Sequence, residues 1–182
     1  MKSGENITGM VAAMVNKHRF LIVDDELRYI DYLRRVLGIY DTVEIDGVEH
    51  PEDALMLLGG GEKFDMIFLD LHFPRIRGMA VFDLFRNIVE QTPVVVLTEA
   101  FDEGLIVKLL EAGATGFALK SAVTSYETFM ATYYSNFSRF YTHRRVKEEI
   151  RKDVDRRLSE IRDDMVRLRD LGTELNVLLG DY

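Results

Sequence analysis

The segment FDMIFLDLHFPRIRGM, residues 64–79, decides the fold of this chain. Its apolar run, MIFL at 66–69, ends on the single carboxylate of Asp70, and Pro74 and Gly78 then break the pattern. A continuous apolar run of this length, bounded by turn residues, is typical of a strand buried on both faces of a parallel sheet. Because such a strand otherwise excludes charge, the acid at its end points to a functional site rather than to packing.

The same arrangement recurs along the first 120 residues, where apolar runs alternate with helical patterns. Further strands are predicted at FLIV 20–23, TVEIDGV 42–48, PVVVL 93–97 and GFAL 116–119. Helices are predicted between them, over 26–38, from Pro51 to the glycines at 59–61, over 79–90, and from 102 to Gly113. Because parallel strands need crossover helices, the alternation predicts an α/β fold with a doubly wound parallel sheet covered on both faces.

Composition narrows the class of protein. The net charge is −8 over 182 residues, which argues against a nucleic-acid footprint and against a polybasic membrane surface. The chain has no cysteine, so disulfides and thiolate metal sites are excluded. No apolar run approaches the roughly 20 residues that span a bilayer. We expect a cytoplasmic protein, with residues 1–18 forming an N-terminal extension that holds a short helix.

Polar side chains follow each of the central strands. The set consists of Asp24, Asp25 and Glu26 after the first strand, then Asp70, Thr98 and Lys120 at the ends of the third, fourth and fifth. The carboxyl ends of parallel strands share one rim of a sheet, where ligands bind. Clustered carboxylates need a cation or raised pKa values, and ligands that are all oxygen favour Mg²⁺. With an ion bound, a carboxylate oxygen of Asp70 can attack phosphorus, while the ion and Lys120 neutralise charge on the phosphoryl oxygens.

Taken together, these motifs resemble the receiver domain of two-component response regulators. The resemblance covers roughly residues 18–135 and rests on four segments: FLIVDDE, FLDLHFPRIRG, VVLTEA and GATGFALKS. It implies a flavodoxin-like sheet of five parallel strands in the order 2-1-3-4-5, here followed by a long C-terminal helix or coiled coil.

The resemblance also assigns roles at the rim. Asp70 is implied to be the phosphoacceptor. Asp24 and Asp25 form the acidic pair, of which Asp25 is the more direct Mg²⁺ ligand, and the backbone carbonyl of His72 completes the protein's share of the metal shell.

The resemblance implies that three further residues respond to phosphorylation. Thr98 follows the phosphoryl group, Lys120 pairs with Asp70 or its phosphate, and Phe117 is the aromatic switch that turns inward when Thr98 moves.

Two positions depart from the family pattern. Glu99 stands where the family prefers a small residue, and its carboxylate can repel an anionic phosphodonor. Ser121 stands where the family usually has proline with a cis bond, so the turn at Lys120 is either trans or strained. We therefore predict that phosphorylation occurs with altered rates.

The remaining residues divide into a receiver domain over 19–137 and a helical extension over 138–182. Thr124 and Glu127 form a capping-box pattern that begins a helix. This helix is rich in aromatic residues: Tyr126, Phe129, Tyr133, Tyr134, Phe137, Phe140 and Tyr141. Some of them are expected to close the sheet. The excess either forms a second apolar surface for a partner or packs within the same domain.

Beyond residue 146 the apolar residues follow steps of three and four over about four heptads, as in a coiled coil. They are Val154, Leu158, Ile161, Met165, Leu168, Leu175 and Leu179, with Gly172 as a defect in the seam. Such a stripe pairs with itself, folds back or waits for a partner, and we expect a parallel homodimer.

The predicted function is that of a response regulator. A sensor histidine kinase, or a phosphotransfer protein, supplies the phosphoryl group, and the helix 4, strand 5 and helix 5 face carries the signal to the tail. The chain is not expected to be an enzyme or to bind nucleic acid or a membrane. Two alternatives stay open: a degenerate receiver serving as a coiled-coil scaffold, and a Mg²⁺-dependent phosphohydrolase of the haloacid-dehalogenase type. Enzymes of that type have a second acid two residues after the nucleophile. This chain has His72 at that position, which counts against the phosphohydrolase.

Overall fold

The computed structural model describes the backbone of residues 17–180 and the side chains of residues 17–171. The short helix expected within residues 1–18 therefore lies outside the described residues, apart from Lys17 and His18, of which His18 begins the first strand. Within the described part of the chain, no helix combines the length and the apolar character needed to cross a bilayer.

Strands and helices alternate as the sequence predicts. Their bounds are β1 His18–Val23, α1 Leu27–Leu37, β2 Val43–Val48, α2 Pro51–Gly59, β3 Met66–Asp70, α3 Met79–Leu84, β4 Val94–Thr98, α4 Glu103–Glu111, β5 Gly116–Leu119, a 3₁₀ turn Lys120–Ala122, and α5 Tyr126–Gly180. All strand pairs are parallel, and the order is β2-β1-β3-β4-β5. The predicted fold, a flavodoxin-like receiver sheet followed by a long helix, is confirmed.

The sheet is buried on both faces because successive side chains of a strand point to opposite sides. Along β3, Ile67 and Leu69 pack with α2, α3 and α4, whereas Met66 and Phe68 pack with α1 and the first turns of α5. β3 and β4 are therefore apolar at every position before their last residue, and this produces the continuous runs seen in the sequence.

Helix α3 is shorter than predicted. It ends at Leu84 rather than near residue 90, and a series of turns follows. Phe85 no longer has α-helical dihedral angles, with φ −96° and ψ 5°. Its amide donates to the carbonyls of Phe82 and Asp83. Phe82, Phe85 and Val89 are nevertheless buried. Consecutive turns therefore bury apolar residues at the same spacing as a continuous helix does.

The start of α5 also differs from the prediction. The reciprocal cap joins Ser125 and Thr128, not Thr124 and Glu127. The Ser125 amide donates to Thr128 Oγ1 at 3.0 Å, and the Thr128 amide donates to Ser125 Oγ at 3.3 Å. Serine and threonine both cap a helix through a hydroxyl group, so Ser125 can take the role predicted for Thr124. The helix then begins at Tyr126, one residue later than a cap at Thr124 would give.

Most of the aromatic residues of α5 are used within the chain. Phe129 and Tyr133 are fully buried, and Tyr126, Tyr134 and Phe137 pack against the same core. These contacts close the second face of the sheet, so the aromatic richness mainly reflects packing.

The chain divides into two compact units, one ending at Phe140 and the other beginning at Tyr141. The predicted boundary between residues 137 and 138 lies close to this division. In the second unit the predicted apolar stripe is exposed, with fractional exposures between 47% and 67%: Val154, Leu158, Ile161, Met165 and Leu168. Val146 and Ile150, which the heptad pattern omitted, are exposed as well.

Candidate functional site

The register of the sheet brings the polar strand ends to one rim. Val23 pairs with Leu69, so Asp24 follows β1 beside Asp70 at the end of β3. Asp70 pairs with Leu97, and Thr98 pairs with Leu119, the residue before Lys120. The predicted convergence of these side chains therefore follows from the strand pairing.

Three carboxylates meet at this rim. Asp24, Asp25 and Asp70 each offer one oxygen, and these oxygens lie within 4.8 Å of one another. Asp24 and Asp70 are buried, with exposures of 0% and 2%, and Asp25 is partly exposed. A partly open cluster that is all oxygen fits Mg²⁺, which takes one or two carboxylates and keeps several waters.

Lys120 lies against these carboxylates. Its Nζ is 2.8 Å from Asp24 Oδ2, 3.5 Å from Asp70 Oδ2 and 3.8 Å from Glu99 Oε1. Burial lowers the pKa of Lys120, but its hydrogen bond to Asp24 and the negative charges around it outweigh burial and raise that pKa above the usual value. The ammonium is therefore charged at neutral pH. The Lys120–Ser121 peptide bond is trans, and the absence of proline at 121 does not move Lys120 away from the rim.

Burial perturbs the pKa of the Asp24 carboxyl. Burial raises its pKa to about 6, against the lowering effects of Lys120 and of the Glu26 amide, which donates to Asp24 Oδ1 at 2.9 Å. The charge of Asp70 adds to the increase. Asp24 therefore exchanges its proton close to neutral pH.

We expect any affinity of this cluster for Mg²⁺ to fall as pH decreases below about 6, because carboxylates attract a cation only when ionised. Without the ion, the raised pKa has the opposite consequence for folding. The stability that the protonated carboxyl provides is lost as pH rises from 3.8 through about 6. Calorimetric Mg²⁺ titrations across this range test the prediction, with Asp24→Asn as the control whose profile loses this component. Equal pH profiles for the two proteins would contradict it.

The loop after β3 shapes the other side of the site. The Leu71 amide donates to Asp70 Oδ1 at 2.8 Å, and His72 Nδ1 lies 3.8 Å from the same oxygen. Two backbone hydrogen bonds close this loop. The Phe73 amide donates to the Ile76 carbonyl, and the Gly78 amide donates to the Leu71 carbonyl. Neither uses the carbonyl of His72, which sequence analysis assigned to the metal.

Thr98, Phe117 and Glu99 are placed around this cluster. Thr98 Oγ1 donates to the Ala100 carbonyl at 2.9 Å. Phe117 is 37% exposed, and its ring centroid is 5.9 Å from that of Phe101. The Glu99 side chain is 67% exposed, although its carboxylate reaches towards Lys120. Within the described residues, neither Thr98 nor Phe117 is bonded to the carboxylates.

One residue of the site was missed by sequence analysis. Tyr29 of α1 places its ring centroid 5.2 Å from Lys120 Nζ. Burial, followed by the charges of Asp24, Glu99 and Asp70, raises the pKa of its phenol. Asp25 precedes α1, so helical spacing does not relate it to Tyr29, and the sequence carries no signal that sets this tyrosine apart from a packing residue.

Comparison with known proteins agrees with this geometry. The model of the response regulator receiver domain matches residues 20–126. The Regulator of RpoS of Escherichia coli K12 is 34% identical over 114 residues, covering 61% of this chain and 32% of that protein. Transcriptional regulatory protein MctR of Rhizobium johnstonii is 28% identical over 108 residues, covering 59% and 50%. The chain thus spans about half, or less, of the length of these curated relatives.

Solved structures resemble the fold. The signal receiver domain of the response regulator NarL from Mycobacterium tuberculosis is 24% identical with a TM-score of 0.56, covering 66% of this chain and 97% of that one. The receiver domain of the Francisella response regulator 1452 is 17% identical with a TM-score of 0.56, covering 68% and 98%. At these identities the likeness concerns the fold alone.

Proposed function

This chain belongs to the response regulator receiver family, and we propose that it accepts a phosphoryl group on Asp70 with Mg²⁺ bound beside it. The observation that carries the proposal is the cluster of three carboxylate oxygens within 4.8 Å, with the Lys120 ammonium against two of its members. Asp24, Asp25, Asp70 and the His72 carbonyl would hold the ion. Its charge would offset that of the phosphoryl oxygens.

In the proposed reaction a carboxylate oxygen of Asp70 forms a bond to phosphorus. The bond from phosphorus to its donor breaks at the same time, and the leaving group takes up a proton. The donor is a sensor histidine kinase or a phosphotransfer protein, which presents phosphohistidine. Lys120, already 3.5 Å from Asp70 Oδ2, neutralises charge on the transferred group.

The signal is proposed to pass through Thr98 and Phe117. The Thr98 hydroxyl would exchange the Ala100 carbonyl for a phosphoryl oxygen, and Phe117 would then turn inward from its partly exposed position. The face formed by α4, β5 and α5 changes as a result. Since the same helix α5 continues to Gly180, we propose that its exposed stripe docks a second copy of the chain as the output.

Incubation with acetyl phosphate and Mg²⁺ tests phosphorylation directly. Intact-mass measurement should show the gain of one phosphoryl group, which hydroxylamine removes because an acyl phosphate reacts with it. Asp70→Asn should show no gain. Asp65→Asn is the matched control, because Asp65 lies just before β3 and accepts the Arg19 amide at 2.8 Å. A wild type that gains no mass, or a gain that persists in Asp70→Asn, would refute the proposal.

Glu99 is expected to slow phosphorylation by small anionic donors. Its carboxylate lies 3.8 Å from Lys120 Nζ, where it competes with the donor for the ammonium and repels the donor's charge. Glu99→Ala should therefore accelerate phosphorylation by acetyl phosphate about two- to fivefold at low salt, and the gain should shrink as salt is added. The control is Glu111→Ala, an exposed carboxylate at the other end of α4. Equal rates for Glu99→Ala and wild type would contradict this role.

A further inference from the structure

The Tyr29 hydroxyl is a buried donor that makes no hydrogen bond within residues 17–171, whose side chains the structure describes. Two other tyrosines, the exposed Tyr32 and the buried Tyr133, differ in this respect. The Tyr32 hydroxyl, one turn further along α1, donates to the Thr124 carbonyl at 2.5 Å, and the Tyr133 hydroxyl lies 3.2 Å from His18 Nδ1. A buried hydroxyl that makes no hydrogen bond costs about 1–3 kcal/mol, so its presence needs an explanation.

The surroundings of Tyr29 supply one. Its ring borders Lys120, whose ammonium bonds to Asp24 and approaches Asp70. The carboxylates of Asp24, Glu99 and Asp70 act on the phenol electrostatically, and together with burial they keep it protonated. The hydroxyl therefore stays a donor in a region where the described side chains provide negative charge but accept no hydrogen bond from it.

A phosphoryl group on Asp70 would change this situation. It brings additional oxygen atoms and negative charge to a place that Lys120 and the carboxylates already surround. Hydrogen bonds to charged acceptors are about twice as strong as neutral ones. A donor that is already desolvated and held by packing gains more from such a bond than a solvated one, since the cost of burying it has been met in the unphosphorylated state.

We propose that Tyr29 donates its phenolic hydrogen bond to the phosphoryl group carried by Asp70, and thereby stabilises the phosphorylated state specifically. This inference rests on the proposed phosphorylation of Asp70. It makes Tyr29 a site residue in addition to the acidic pair, the threonine and the lysine.

Beryllofluoride, which mimics the acyl phosphate, tests the inference in the full-length chain. Calorimetry first measures the affinity for Mg²⁺ alone, and then the affinity for beryllofluoride at saturating Mg²⁺. For Tyr29→Phe we expect beryllofluoride to bind about tenfold more weakly, with the Mg²⁺ affinity unchanged. The two measurements distinguish a phosphoryl oxygen from a metal-bound water as the acceptor.

Urea unfolding in the absence of Mg²⁺ adds a second measurement, in which Tyr29→Phe should not be less stable than the wild type. Tyr29→Phe removes an unsatisfied buried hydroxyl, so the free energy of unfolding should be unchanged or higher. Tyr32→Phe is the matched control, since it breaks an existing bond to Thr124. That variant should lose stability and keep its beryllofluoride affinity.

Equal beryllofluoride affinity in Tyr29→Phe and wild type would overturn the inference. A weaker affinity of Tyr29→Phe for Mg²⁺ alone would overturn it too, because the hydroxyl would then bond to a water held by the metal and not to a phosphoryl oxygen. If the wild type bound Mg²⁺ but no beryllofluoride and gained no phosphoryl group from acetyl phosphate, the proposed function would fail, and this inference with it.

Discussion

Replacing Lys120 by methionine is expected to lower the free energy of unfolding, measured without Mg²⁺ at neutral pH, by about 3 kcal/mol. Methionine matches the length and apolar stem of lysine but removes the ammonium that lies 2.8 Å from Asp24 and 3.5 Å from Asp70. Both carboxylates are buried, so the change removes the buried cation that offsets their negative charge. Breaking a buried ion pair in this way costs far more than the intact pair contributes.

The loss should depend on pH in a defined direction. In the wild type the pKa of Asp24 is already raised to about 6, and without Lys120 it rises further. A carboxyl with a raised pKa loses its stabilising contribution as pH increases from 3.8 through its folded value. The difference between Lys120→Met and wild type should therefore be small near pH 4 and largest above neutrality.

Magnesium should restore part of the stability, because the ion supplies positive charge to the same carboxylates. Lys17→Met is the matched control, since the ion pair of Lys17 with Glu44 at 3.0 Å is exposed. Its loss should cost less than about 0.5 kcal/mol. Urea unfolding with and without Mg²⁺ makes the measurement. Equal losses for the two lysine variants would show that the rim does not bury its charges as the structure indicates.

The strands and their polar ends could be predicted from sequence for a physical reason. A strand covered on both faces must be apolar at every position, so the runs ending at Asp70 and Thr98 stand out without any alignment. The order of the strands across the sheet could not be predicted in this way, because the spacing of residues along a strand does not specify its neighbour in the sheet. That order came from the resemblance to the receiver family, and the pairing of β1 with both β2 and β3 confirms it.

Local hydrogen bonding was less predictable than burial. Phe82, Phe85 and Val89 follow the spacing of a helix, yet the helix ends at Leu84, because burial requires only that these side chains point inward. The cap of α5 shifted by one residue because neighbouring hydroxyls, at 124 and 125, compete for the same role, and only the packed backbone selects between them.

The site contains one residue that sequence could not single out. A tyrosine beside the apolar face of α1 predicts packing, and Tyr29 does pack against the core. Whether its hydroxyl finds a partner depends on what the sheet and the turn after β5 place around it. That information lies in the three-dimensional contact with Lys120, and not in the spacing along α1.

Ile161→Asp is expected to convert the proposed homodimer into a monomer, raising its dissociation constant at least about a hundredfold. Ile161 is 56% exposed in the single chain, at the middle of a stripe whose neighbours Leu158 and Met165 are 55% and 66% exposed. A helix that exposes a continuous apolar stripe is normally covered by a partner. An aspartate at the centre of the proposed seam would bring one buried carboxylate from each chain into the same layer of a symmetric dimer.

Sedimentation or light scattering of the full chain over a range of concentrations measures the effect, with and without beryllofluoride. The matched control is Asp163→Asn, which also changes one charge but lies about 200° further around the helix from Ile161. It should leave the dimer unchanged. Association that appears only with beryllofluoride would link the stripe to the phosphorylation site. A wild type that stays monomeric in both conditions, or an Ile161→Asp protein that associates as the wild type does, would contradict the proposal that the tail joins two copies.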